Sequence, residues 1–169
     1  MNNRLYGKLS VTKENSMTEY CIESPHFNIC FQLKVFESDI QYSSNTIMSV
    51  SVISNEFCGK SDMDVDIKDF VIFTNALNEL YTTLNGSAII QEPYGQQQFI
   101  KFTADKTGHI LVSGELSTNG HNGCMQRLTF ENCIDQTLLH DFIENLSLLC
   151  KQYFLNKYIV YNLFKEGYE

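Results

Sequence analysis

The chain has 169 residues, 43% of them hydrophobic, with 12 Phe, 9 Tyr and no Trp. That is the chemistry of one globular domain able to bury a core, and it excludes a low-complexity or disordered chain. A net charge of −8, with twelve scattered basic residues, argues against phosphate neutralisation and hence against a nucleic-acid binder; it favours a basic protein partner.

The opening stretch Met1–Lys8 lacks the apolar run of a secretory signal. No segment reaches the ~18–20 apolar residues that span a bilayer. The expected location is the cytoplasm, where the six cysteines (Cys21, Cys30, Cys58, Cys124, Cys133 and Cys150) default to reduced thiols.

Within residues 1–45 the readable element is the alternation of Phe27, Ile29, Phe31, Leu33 and Val35, which puts five apolar side chains on one face of a half-buried strand. Ser38–Asn45 is polar and turn-like. Ile47–Ile53 reads as the next strand, broken by Ser54-Asn55-Glu56 and by Cys58-Gly59-Lys60. A short strand is expected over Ser61–Val65.

Phe70, Phe73, Leu77, Leu80 and Leu84 recur at steps of three and four, predicting an amphipathic helix over Ile67–Leu84 with Asp66 as its cap and Gly86 at its end. Strands are expected near Ala88–Glu92, Gln98–Ala104, His109–Ser117 and Met125–Glu131. The turns between them are Pro93-Tyr94-Gly95, Asp105-Lys106-Thr107-Gly108 and Asn119–Gly123. A second helix over Gln136–Phe154 should bury Leu139, Phe142, Ile143, Leu146, Leu149, Cys150 and Tyr153. Tyr158–Phe164 fits either an extra strand or a continued helix.

No internal repeat is visible. Strands joined by short turns are antiparallel neighbours. The expected fold is therefore α+β: a curved antiparallel sheet with two amphipathic helices packed against it, one domain over 1–169.

Candidate chemistry is sparse. Asp62, Asp64 and Asp66 form D-x-D-x-D, but an EF-hand loop would need Gly at Ile67 and Glu at Phe73. Strand alternation instead sets the three carboxylates on one solvent face; with Glu56 and Asp69 they make the densest acidic patch, either a solvated strand surface with a helix cap or a landing site for a basic partner. Cys21, His26 and Cys30 are zinc-capable but supply three local ligands where a structural site needs four. No metal or cofactor is expected. His109, at a strand start, reads as hydrogen-bonded to backbone; His121 as a loop tip; His140 sits beside Asp141. No motif joins a nucleophile, a base and an orienter.

Three stretches form a recognisable series. The first is Asp69-Phe70-x-x-Phe73 running into Leu77-x-x-Leu80-Tyr81-x-x-Leu84-x-Gly86-x-Ala88. The second is Gly108-His109-Ile110-Leu111-Val112-x-Gly114-x-Leu116. The third is Leu128-x-Phe130 before Asp135-Gln136-Thr137-x-Leu139. In order and spacing they resemble the WapI-type immunity proteins of bacterial polymorphic toxin systems, which guard a cell against toxin domains delivered by contact. The likeness covers Asp69–Leu149. Where an Asn-Trp-Leu entry to a strand would be expected, this chain has Asn45-Thr46-Ile47, and the N-terminal strands within 1–45 and the tail 158–169 read as particular to it.

The resemblance implies a non-enzymatic, cytoplasmic immunity protein that binds and inhibits a cognate toxin domain, a basic nuclease being the expected partner. The shared motifs describe a scaffold and carry no binding residues over. The acidic set Glu56, Asp62, Asp64 and Asp66 is the candidate partner-binding surface on charge alone. The alternatives are a generic protein-binding adaptor or a small hydrolase using His109 or His140.

Overall fold

The computed structural model describes residues 18–94 and 98–165, with residues 154–165 described by backbone alone. Residues 1–17 of the N-terminal segment, 95–97 at the Pro93–Gly95 turn and 166–169 of the tail lie outside it.

Four strands come first: β1 (Glu19–Glu23), β2 (Phe27–Val35), β3 (Thr46–Ser54) and β4 (Phe57–Val65). Helix α1 (Ile67–Thr83) follows. Then come β5 (Ser87–Gln91), β6 (Phe99–Ala104), β7 (His109–Asn119) and β8 (Met125–Asp135), and finally α2 (Leu139–Lys165). Every pairing is antiparallel between consecutive strands, in two sheets ordered β1-β2-β3-β4 and β5-β6-β7-β8. We call them sheet A and sheet B. The α+β class with two helices holds, and its sheet surface is divided in two because α1 separates β4 from β5. The result is a ββββα unit used twice, which the sequence does not reveal as a repeat.

The inner faces of both sheets and the apolar stripes of both helices close one core. Ile29, Phe31, Val50 and Met63 of sheet A are completely buried, as are Ile100, Phe102, Ile110 and Val112 of sheet B. Phe31 of β2, Phe73 of α1, Phe102 of β6 and Phe142 of α2 form a closed circuit of rings with centroid separations of 6.3, 6.0, 6.4 and 5.4 Å. Each sheet and each helix thus contributes one ring, and such pairs add about 0.5–1.5 kcal/mol beyond their buried area. Phe27 against Phe130, at 5.9 Å, ties the sheets a second time.

The helix stripes are buried as expected at Phe70, Phe73, Leu77, Leu80, Leu139, Phe142, Ile143 and Leu146. Asp66 caps α1 by accepting the Lys68 amide at 2.9 Å. The left-handed residue that ends α1 is Leu84 (φ 50°), two positions before the expected Gly86. A 3-10 turn at Gln136–Leu138 precedes α2, and Tyr158–Phe164 continues that helix.

Three expectations are corrected. Cys58-Gly59-Lys60 is not a break: β4 runs unbroken from Phe57. Gly59 sits at a close approach instead: a Cβ there would lie 2.7 Å from Leu128 Cδ2 on β8, and that side-chain tip would have to give way. Second, the expectation of six free thiols fails at Cys21 and Cys30, which are joined in a disulfide with Cα atoms 4.1 Å apart. They are direct partners in the β1–β2 register. Third, the His109 ring meets side chains, Thr107 Oγ1 at 2.9 Å and Asp105 Oδ2 at 3.3 Å, where a backbone partner was expected.

Candidate partner-binding face

Both helices pack against inner faces, so among the described residues no element covers the outer face of sheet A. Strand alternation decides what it carries. On β4, Ser61, Met63 and Val65 point inward and are buried, while Lys60, Asp62 and Asp64 point outward and are exposed. Register then sets these residues in rows across the sheet. One row is Glu19, Gln32, Ser49 and Asp62: the Gln32 amide donates to Glu19 at 3.5 Å, and the Ser49 hydroxyl donates to the Asp62 carboxylate. The flanking rows hold Lys34, Ile47 and Asp64 on one side and Cys21, Cys30, Ser51 and Lys60 on the other. With Glu23, four carboxylates face two lysines across this surface.

The Asp62–Asp66 end of β4 is bordered by two loops. Asn45, completely buried, is the junction of one of them. Its amide donates to the carbonyls of Ile40 and Tyr42 and to Asp66 Oδ1; its carbonyl oxygen accepts from the Thr46 hydroxyl and from the Ile67 amide. Gln98, also buried, is the junction of the other. It donates to the Asp62 carbonyl and the Glu92 carboxylate and accepts from the Ser117 amide, so it clamps sheet A to sheet B. These junctions hold the loops that present Tyr42 (62% exposed) and Tyr94 (69% exposed). The Tyr94 hydroxyl and Ser43 Oγ share a 2.7 Å hydrogen bond. A cleft of about 360 Å³ is lined by Ser61, Asp62, Gln98, Ser117 and Met125.

The four candidate residues therefore part company. Asp62 and Asp64 share the outer face. Asp66 is half-buried, its carboxylate engaged by the Lys68 and Asn45 nitrogens. Glu56 lies in the β3–β4 turn at the far end of β4, six residues and roughly 20 Å of strand from Asp62. The D-x-D-x-D carboxylates do not converge into a cluster of metal-ligand spacing among the described residues. Tyr42, Tyr94, Asn45 and Gln98 had no sequence signal: each is an ordinary turn or strand residue until long-range contacts place it.

His109 and His140 pair with carboxylates, and neither completes a relay among the described residues. At His109, the Thr107 hydroxyl and the Asp105 carboxylate both meet the same ring nitrogen, Nδ1. A nucleophile–base–acid chain needs them on opposite nitrogens. The Thr107 hydroxyl and amide, with the His109 amide, hold the exposed Asp105 carboxyl down at about 2. His140, on α2, lies 2.8 Å from Asp141, whose hydrogen bond raises the imidazole's pKa above its usual value. It opens onto a groove of about 670 Å³ between the helices, lined also by Asn75, Asn78, Tyr81 and Glu144. No described helix is long and apolar enough to cross a membrane.

The architecture is a two-sheet α+β scaffold, with Asp62 and Asp64 on the outer face of sheet A among the described residues. The chain belongs to the immunity protein WapI-like family, whose profile matches residues 22–153. The match begins at Ile22, so it includes the last two residues of β1 and all of β2 as well as the stretch from Asp69 that carried the resemblance. An immunity function follows from that membership. No curated protein matches the chain. Among solved structures it is similar to that of the plant transcriptional regulator PBF-2, at 8% identity over 88% of this chain and 87% of that one, with a TM-score of 0.49. That likeness carries nothing about function.

Proposed function

We propose that this immunity protein acts in the cytoplasm without chemistry of its own, by binding a basic toxin domain, a nuclease by preference, on the outer face of sheet A. The observation that supports this most is the pair Asp62 and Asp64, exposed on the outer sheet face that no described element covers, with the exposed Tyr42 and Tyr94 on the loops bordering it. Tyrosines supply large rigid contact area at small entropic cost, and aromatic anchors dominate interface energetics. Carboxylates around them steer a cationic partner and fix its orientation. A nuclease domain is positively charged wherever it holds nucleic acid, which makes it a natural complement. A stable inhibitory interface buries ~800 Å² on each partner, an area a four-stranded face and its bordering loops can offer.

The test first seeks, beside this reading frame, one encoding a large secreted protein with a variable C-terminal domain, and then uses that domain as the candidate toxin. The double variant Asp62→Asn/Asp64→Asn keeps size and hydrogen-bonding capacity but removes the charge. We expect nearly unchanged thermal stability, an association rate lowered on the order of tenfold at low salt, and a flatter salt dependence of that rate. An unchanged rate and salt slope would show that these carboxylates are only a solvated strand surface.

A further inference from the structure

We propose that the outer face of sheet A carries a redox-gated site for a thiophilic divalent cation, zinc being the natural occupant, formed by Cys21, Cys30 and Glu19. The sequence pointed to His26 as the third partner of the two cysteines. The fold sends His26 to the exposed tip of the β1–β2 hairpin and brings up Glu19 instead. Glu19 and Cys21 are two residues apart on β1 and so share a face, and Cys30 is the direct cross-strand partner of Cys21. One carboxylate oxygen and the two sulfurs all lie within 4.8 Å of one another.

The same two sulfurs cannot serve both states. A low-molecular-weight thiol reductant converts the disulfide to two protein thiols and is itself oxidised to its own disulfide, a two-electron exchange. The paired thiols then sit on adjacent strands at a separation set by the ladder. Two thiolates bound to one zinc at ~2.3 Å with tetrahedral angles lie about 3.8 Å apart, a spacing that directly opposed strand positions provide. Binding one Zn²⁺ releases the two thiol protons. The Glu19 carboxylate supplies the third ligand, with the Gln32 amide at 3.5 Å to orient it. Glu19 is exposed and the two cysteines are half-buried on the same outer face, so the proposed fourth position is water or a side chain of a docked protein. In a reducing compartment the pair is a dithiol, the state competent to bind metal; exchange with a low-molecular-weight disulfide, itself reduced to two thiols, re-forms the Cys21–Cys30 bond, closes the site and staples β1 to β2.

The experiment uses the full chain, reduced with a phosphine under anaerobic conditions and titrated with Cd²⁺ and then Zn²⁺ in competition. We expect a thiolate-to-metal absorption band that saturates at one equivalent, with two proton equivalents released. Cys21→Ser and Cys30→Ser should each abolish it, and Glu19→Gln should weaken binding by at least about tenfold. Far-UV circular dichroism under the same reducing conditions compares the variants like for like, since no disulfide is present in any of them. A Cys58→Ser/Cys124→Ser/Cys133→Ser variant, lacking the exposed free cysteines, should bind as the parent does, and the oxidised protein should show no band. Absence of the band in the reduced parent, or its survival in a folded Cys21→Ser variant, would overturn the site.

Discussion

Replacing Asn45 by alanine should be among the costliest single changes in this protein, although the residue lies in what reads as a polar turn. Four hydrogen bonds of 2.9 to 3.1 Å would go: to the Tyr42 carbonyl and to Asp66 Oδ1, from the Thr46 hydroxyl and from the Ile67 amide. At a net ~0.5–1.5 kcal/mol each, and with the amide of buried Ile67 left unpaired, the loss comes to about 3–5 kcal/mol. Urea unfolding followed by far-UV circular dichroism measures it. With an m-value of ~2 kcal/mol/M the midpoint falls by ~1.5–2.5 M. Asn45→Asp sharpens the test. It keeps the acceptor for Ile67 but sets a second carboxylate against Asp66, so one of the pair has its pKa raised in the folded state. The protonated pair is the stable one at low pH, and stability is lost as pH rises through that raised value. The Asp variant should thus be more stable near pH 4 than at pH 7, relative to the parent. A loss below about 1 kcal/mol for Asn45→Ala, with unchanged m, would refute the assignment of Asn45 as the junction between the Tyr42 loop, β3 and α1.

Two further outcomes are expected. Gly114→Ala should destabilise by ~1–3 kcal/mol in the same unfolding assay, because a Cβ there would stand 2.6 Å from the Phe99 carbonyl oxygen and 2.7 Å from Phe130 Cζ, and backbone cannot move aside as a side-chain tip can. The Asp105 carboxyl should titrate at about 2 by NMR, against 3.8 for a free side chain. Its folded value is depressed, so its stabilising effect is present above 3.8 and is lost as pH falls toward 2; Asp105→Asn should flatten that part of the acid-unfolding profile.

What could be read from the sequence follows a physical divide. The two helix stripes and the β7 alternation are periodic over many residues, so burial leaves its mark residue by residue. Strand β1 left none: five residues, of which only Ile22 is fully buried, are too few to show a period. With β1 unplaced, the pairing of Cys21 with Cys30 was out of reach, and a compartment argument stood in for geometry. Gly59 looked like punctuation because the close approach of Leu128 comes from 69 positions away. At the candidate face, alternation correctly set Asp62 and Asp64 outward. Asp66 was placed with them because its partner Asn45 is 21 residues distant. The meeting of Ser43 with Tyr94 spans 51 residues and is a property of the assembled loops alone.

The alternation along β4 separates two inheritances that most surfaces mix. Met63 and Val65 answer to the fold, whereas the side chains of Lys60, Asp62 and Asp64, one position away in each case, stand exposed outside the core. On the binding face proposed above, every second letter of the strand can therefore be rewritten while its neighbours hold the architecture constant. Charge there can drift, even reverse, at positions where a change leaves the core undisturbed.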